Sequence, residues 1–227
     1  MNKVFEFPGF VDVHVHFRDP GATDSENTST GLKSAEAAGF AAVVTMPNTT
    51  PACDSPAAIE RQLAASAFSP VKLFASACIT KNRAGREVAD IEALAEAGAA
   101  FFTDDGSYVE DDKVMEEAMR RVAALGMVVS DHALPRGGSE ADAVRRDIEL
   151  CRVTGCRLHI QHISTAEGVM LVRDARREGL PVTAEATPHH LLFCRDDIPR
   201  GDTNYKMAPP LAGREDRAEL RRSKTGS

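Results

Sequence analysis

Two histidines, His14 and His16, stand two positions apart in the stretch Pro8–Gly21, which reads PGFVDVHVHFRDPG. From Val11 to His16 apolar and polar residues alternate, so a strand of period two puts Val11, Val13 and Val15 on a dry face and Asp12, His14 and His16 on the other. Two neutral imidazoles on one side of a strand can both reach a single cation, and imidazole suits zinc and similar metals. Arg18 and Asp19 follow, then a Pro20-Gly21 turn. An Arg just beyond a metal pair can hold a substrate carboxylate through a bidentate fork. A lone His on a strand is more often structural than ligating, so the reading depends on what lies downstream.

From Gly31 onward one pattern recurs: an Ala-rich helical segment ends in Gly, a short β-type run follows, and a polar residue closes the run. The β-type runs begin near Val11, Ala42, Val71, Ala100, Met127, Arg157 and Pro181. Ser55-Pro56 offers a helix start before Ile59 and Leu63, a helix is expected over Val88 to Ala97, and Ser164 with Glu167 reads as a capping box. Alternating β and α segments argue for a parallel sheet with helices outside, the glycines supplying the left-handed helix ends. Counted from those glycines, Gly98 to Asp105 is seven residues, Gly126 to His132 six and Gly155 to His162 seven. Three potential ligands therefore share one height at the carboxyl ends of successive strands, where a (β/α)8 barrel builds its sites. With His14 and His16 they make a two-metal set in which the Asp105 carboxylate can bridge two cations about 3.5 to 4 Å apart.

The chain has 227 residues and a formal net charge of −7, which argues against nucleic-acid or anionic-membrane partners. Five cysteines with no C-x-x-C pair point to reduced thiols, and no apolar run approaches the roughly 18 residues of a membrane span. A soluble cytoplasmic protein is expected. Residues 1–227 read as one barrel domain, with a core over 8–213 and a helix and polar tail over 214–227.

On the strings PGFVDVHVHFRDPG, TMPNTTP, FFTDDG, HIQHIST, AEATPHHLL and DTNYKMAPPL, the chain resembles the amidohydrolase superfamily and, within it, the bacterial class I dihydroorotases. The resemblance implies a TIM-type (β/α)8 barrel whose zinc centre, two Zn2+ per chain, interconverts dihydroorotate and N-carbamoyl-aspartate in pyrimidine biosynthesis. It assigns His14 and His16 to one zinc, His132 and His162 to the other, and Asp105 to the bridge; no Lys lies between Phe101 and Gly106 to serve instead. It gives His16, Arg18 and Asn48 to the substrate. His189 and His190 read as structural, His159 as packed against helices, Asp12 as a buried hydrogen-bonding group and Asp104 as a partner supporting the ligands.

Four departures accompany the resemblance. The acid–base Asp of strand eight, in a TDHAPH-like string, has no counterpart, so the catalytic carboxylate is unknown. Ala208 replaces an Asn, Gly137-Gly138-Ser139 reads like a spliced connection, and few residues precede Pro8. A barrel of about seven strands, truncated or edited, is expected. Two alternatives stand beside the enzyme: a non-catalytic scaffold for a partner such as aspartate transcarbamoylase, or another amidohydrolase of hydantoinase or allantoinase type. A homo-oligomer fits either.

Overall fold

Seven strands, β1 (Phe10–Val15), β2 (Phe40–Thr45), β3 (Lys72–Ala77), β4 (Ala99–Phe102), β5 (Val128–Asp131), β6 (Arg157–Ile160) and β7 (Val182–Ala184), form one parallel sheet in chain order. The computed structural model describes residue 6 and residues 8–223; expectations about the segment before Pro8 and the tail 224–227 otherwise lie outside the described residues. Every β-type run read from the sequence is a strand, and β1 and β7 are the sheet's two edges. The sheet is thus a barrel wall that does not close upon itself among the described residues.

Among the described residues eight α-helices lie between or after the strands: α1 (Thr28–Ala37), α2 (Pro56–Ala64), α3 (Ile91–Glu96), α4 (Asp112–Ala124), α5 (Glu140–Thr154), α6 (Ala166–Arg177), α7 (Pro188–Leu192) and α8 (Arg214–Ser223). Their starts follow from local chemistry. Asp111 accepts from the amides of Lys113 and Val114 at the head of α4, and Met115, Ala118, Met119 and Val122 are its buried stripe. Ser139 caps α5, and Gly155 closes it at φ +69, a left-handed conformation that side chains rarely adopt. Pro56 opens α2 as expected.

Three local expectations are corrected. Helix α3 begins at Ile91 rather than Val88, because Asp90 is the capping residue and Val88 instead bridges Thr80 in antiparallel fashion. The cap of α6 is Thr165, not Ser164, since Thr165 Oγ1 accepts from the Gly168 amide at 3.1 Å while the Ser164 hydroxyl donates to Glu140. The face expected to be dry on β1 is wet: Val11 is 60 % and Val13 40 % exposed, as befits an edge strand with a neighbour on one side only. Val15 alone of the three packs inward, against the cluster of Phe17, Leu32, Val43, Val71 and Leu73. The main core lies between the later strands and α2 to α6, and includes Ile59, Phe102, Met115, Met119, Val129, Leu158 and Ile160.

Candidate metal centre

His14 lies in β1, and His16 one residue beyond it. Asp105 lies past β4, His132 just past β5 and His162 past β6, all at the carboxyl ends of their strands. Their polar atoms converge. His14 Nε2 is 3.2 Å from His16 Nε2, and these nitrogens lie 3.3 and 3.4 Å from Asp105 Oδ1 and Oδ2. On the other side His132 Nδ1 is 2.7 Å from His162 Nε2, with Asp105 Oδ1 3.6 and 3.8 Å away. The two triads His14–His16–Asp105 and Asp105–His132–His162 share the one buried carboxylate. All five residues singled out in the sequence are therefore brought together.

The donor set suits a cation. Asn48 donates from Nδ2 to Asp105 Oδ2 at 3.0 Å, which leaves its Oδ1 to accept from His16 Nδ1 at 3.0 Å. A neutral His16 then presents the Nε2 lone pair toward His14 and Asp105. Imidazole nitrogens and a carboxylate packed this closely in a dry pocket repel one another until positive charge enters, and they are the ligand types of zinc sites. The electrostatics follow the same logic. Burial works against the Asp105 anion, yet the imidazoles of His132, His14 and His162 close around it hold its carboxyl well below the usual carboxylate range. Burial also opposes charge on His14, but Asp105 and Glu185 outweigh it and push that imidazole up to about 10. Burial lowers His16 and His162.

Supporting residues fix the ligands from the strand ends. Thr103 Oγ1 accepts from the Asp105 amide at 3.0 Å and from Gln161 Nε2 at 3.2 Å. Asp104 does not touch a ligand; it supports through the backbone, accepting from the amides of Ile79 and Thr80 and from the Thr80 hydroxyl. Asp12 accepts from the His14 amide at 3.0 Å and is half-buried, not buried. Arg18 is exposed, held at φ +58, and its guanidinium makes no hydrogen bond or ion pair among the described residues. Its charge reaches His16. His162 is also in the left-handed region, at φ +32, and strain of this kind collects at functional sites.

Two site residues escaped the sequence reading. Arg83 Nη2 donates to the Asp105 carbonyl at 2.6 Å and to Ser107 Oγ at 3.1 Å, from a turn in which Asn82 and Arg83 both have φ +54. Glu185, one residue past β7, places Oε1 2.5 Å from His14 Nδ1. It follows Gly179 by six residues, the spacing of His132 from Gly126, so the same glycine count would have found it. Burial raises its carboxyl, but His14 and His159 outweigh this and hold it down at about 2. His159 itself is a correction: rather than packing against helices it lies against Thr183 Oγ1 at 2.8 Å and Glu185 Oε2 at 3.3 Å. Parity explains this, since Leu158 and Ile160 take the core-facing positions of β6. His190 is buried, contacts Thr187 Oγ1 and donates from Nε2 to the Pro209 carbonyl at 3.1 Å, while His189 is exposed.

Residues 3–137 match the family model described as dihydro-orotase-like. A dihydroorotase of Geobacillus thermodenitrificans strain NG80-2 is 45% identical over 239 residues, covering 94% of this chain and 55% of its own length. One from Bacillus subtilis strain 168 is 43% identical, with 94% and 55% covered. The chain thus spans about half the length of the curated relatives it matches. Among solved structures, an L-hydantoinase (dihydropyrimidinase) from Arthrobacter aurescens superposes with a TM-score of 0.82 at 25% identity, covering 94% of this chain and 54% of that one. A dihydroorotase in complex with 5-fluoroorotic acid from Saccharomyces cerevisiae gives 0.76 at 16% identity, with 96% and 66% covered, a likeness of fold alone.

Proposed function

This chain belongs to the dihydro-orotase-like family, and from that premise we propose that it carries the metal-binding part of a zinc-dependent cyclic-amide hydrolase interconverting dihydroorotate and N-carbamoyl-aspartate in pyrimidine biosynthesis. The observation that carries the reading is the convergence of four imidazoles on Asp105 at the carboxyl ends of parallel strands. In this reading residues 1–227 are one barrel domain, His14 and His16 would hold one Zn2+, His132 and His162 a second, and Asp105 would serve both. Such ions, when bound, supply Lewis-acid polarisation of a carbonyl and acidification of water.

The chain's own side chains bind and orient. Arg18, with its guanidinium uncommitted, grips the substrate carboxylate as a planar fork. Asn48 is more a positioning group than the resemblance implied, because it is engaged by His16 and Asp105. One N–H and one lone pair remain on its amide for an edge of the substrate ring. His16 lies between Asn48 and the proposed metal, so it lines the same end of the site. The resemblance implies an acid–base Asp besides these residues, a proton-transfer role worth about 10² to 10⁴ in rate.

Dihydroorotate is favoured over hydantoin in this reading because the curated relatives at 45% and 43% identity are dihydroorotases. Five free, buried cysteines fit a reducing cytoplasm, and among the described residues no helix is long and apolar enough to cross a membrane. The test is zinc content per chain together with hydrolysis of dihydroorotate and hydantoin by the 227-residue protein. About two zincs with turnover of dihydroorotate in preference to hydantoin is the expected result. Zinc without turnover supports the scaffold reading, with aspartate transcarbamoylase or a second copy as its partner, and a chain that takes up no zinc overturns both.

A further inference from the structure

The two edge strands of the sheet are not hydrogen-bonded to each other, yet one side-chain contact spans them. Glu185, just past β7, reaches His14 of β1 with Oε1 2.5 Å from Nδ1. We infer that Glu185 is the positioning residue of His14, fixing from the far edge which nitrogen of that imidazole faces the metal. The inference rests on the metal-centre reading above.

Donors and acceptors fix the tautomer. An ionised carboxylate can only accept, so the hydrogen between the two groups belongs to His14 Nδ1. In the neutral, metal-ligating form the lone pair is then on Nε2, the nitrogen 3.2 Å from His16 Nε2 and 3.3 Å from Asp105 Oδ1. Asn48 performs the same selection for His16, so the two imidazoles in and just past β1 are turned the same way by different neighbours. Glu185 is itself anchored. His159 Nε2 lies 3.3 Å from its Oε2, and the His162 amide donates to Oε1 at 3.3 Å. Behind them Thr183 Oγ1 holds His159 Nδ1 at 2.8 Å. A ligand carried by β1 is thereby oriented by a relay from β6 and β7, and the same carboxylate meets the backbone of His162, a ligand of the opposite triad.

Carboxylates that hold the second nitrogen of a ligating histidine typically contribute 10- to 100-fold in metal affinity. The experiment uses the full 227-residue chain and compares wild type with E185Q, E185A and the exposed control H189A. Zinc affinity is read by competition with a chromophoric chelator, the ligand-field spectrum of bound cobalt(II) is recorded at saturation, and the thermal midpoint of each metal-free protein is measured. Expected are a loss of about 100-fold for E185A and about 10-fold for E185Q, whose carbonyl still accepts from Nδ1, a changed cobalt spectrum in both, and no change in H189A. E185Q, of the same shape as Glu, carries the test should E185A not fold. A lower midpoint with wild-type affinity and spectrum would make Glu185 a strut between strands and overturn the inference. Failure of wild type itself to bind either metal would instead overturn the centre on which it rests.

Discussion

Asp105 is where histidines from the two halves of the chain meet. Because its carboxylate is common to both triads, its removal should undo both: Asp105→Ala is expected to lose most bound zinc, read by metal analysis after gel filtration, and full occupancy would refute the bridging assignment. Arg18 gives the opposite pattern. Arg18→Met should leave metal content intact while raising KM for dihydroorotate about 10- to 100-fold, the loss expected when a bidentate carboxylate contact is removed. The five clustered residues were legible because strand parity and the distance from a helix-ending glycine are both one-dimensional quantities. Arg83 was not, since its approach to the Asp105 carbonyl depends on two successive left-handed residues that no local composition announces.

At the scale of elements, the turn that presents His162 is held by a residue from the preceding helix. Glu140, at the start of α5, accepts from the amides and hydroxyls of both Ser164 and Thr165, and is 7 % exposed. The packing there is close: a Cβ on Gly168 would come within 2.8 Å of Glu140 Oε1. Glu140→Ala strands two amides and two hydroxyls in a largely dry site, and should cost about 2 to 4 kcal/mol in a urea titration. An effect below about 0.5 kcal/mol would show that water replaces the carboxylate. The strands and most helices were readable from period and glycine spacing. The head of α6 was not, because the Ser164 hydroxyl is taken up by Glu140 from 24 residues upstream, beyond the reach of any pattern in adjacent residues.

At the scale of the molecule, the candidate centre ties β1 to the ends of β4, β5 and β6. A cation held there stabilises the folded chain by mass action, about 4 kcal/mol when free metal stands at 1,000 times Kd. For a domain of this size that corresponds to about 10 °C in the thermal midpoint. Chelation should therefore lower the midpoint by that order and re-addition of zinc restore it, as followed by differential scanning calorimetry; an unchanged midpoint would mean that the site is not loaded. The open wall itself was foreseen by counting strands. That its two edges would touch through a His and a Glu was not, since residues 14 and 185 lie at the two ends of the pattern and only the curvature of the sheet brings them near.

The order of the strands in the sheet is also the order of their synthesis. On the ribosome the wall is laid down one strand at a time from its first edge, and the amino-terminal part emerges first. His14 and His16 are then in place long before Asp105, His132 and His162 have been made, and Glu185 comes later still. A pair of imidazoles alone discriminates poorly among first-row ions, while the complete geometry discriminates much better. In the proposed reading the choice of metal is consequently deferred until His132 and His162 have joined the wall.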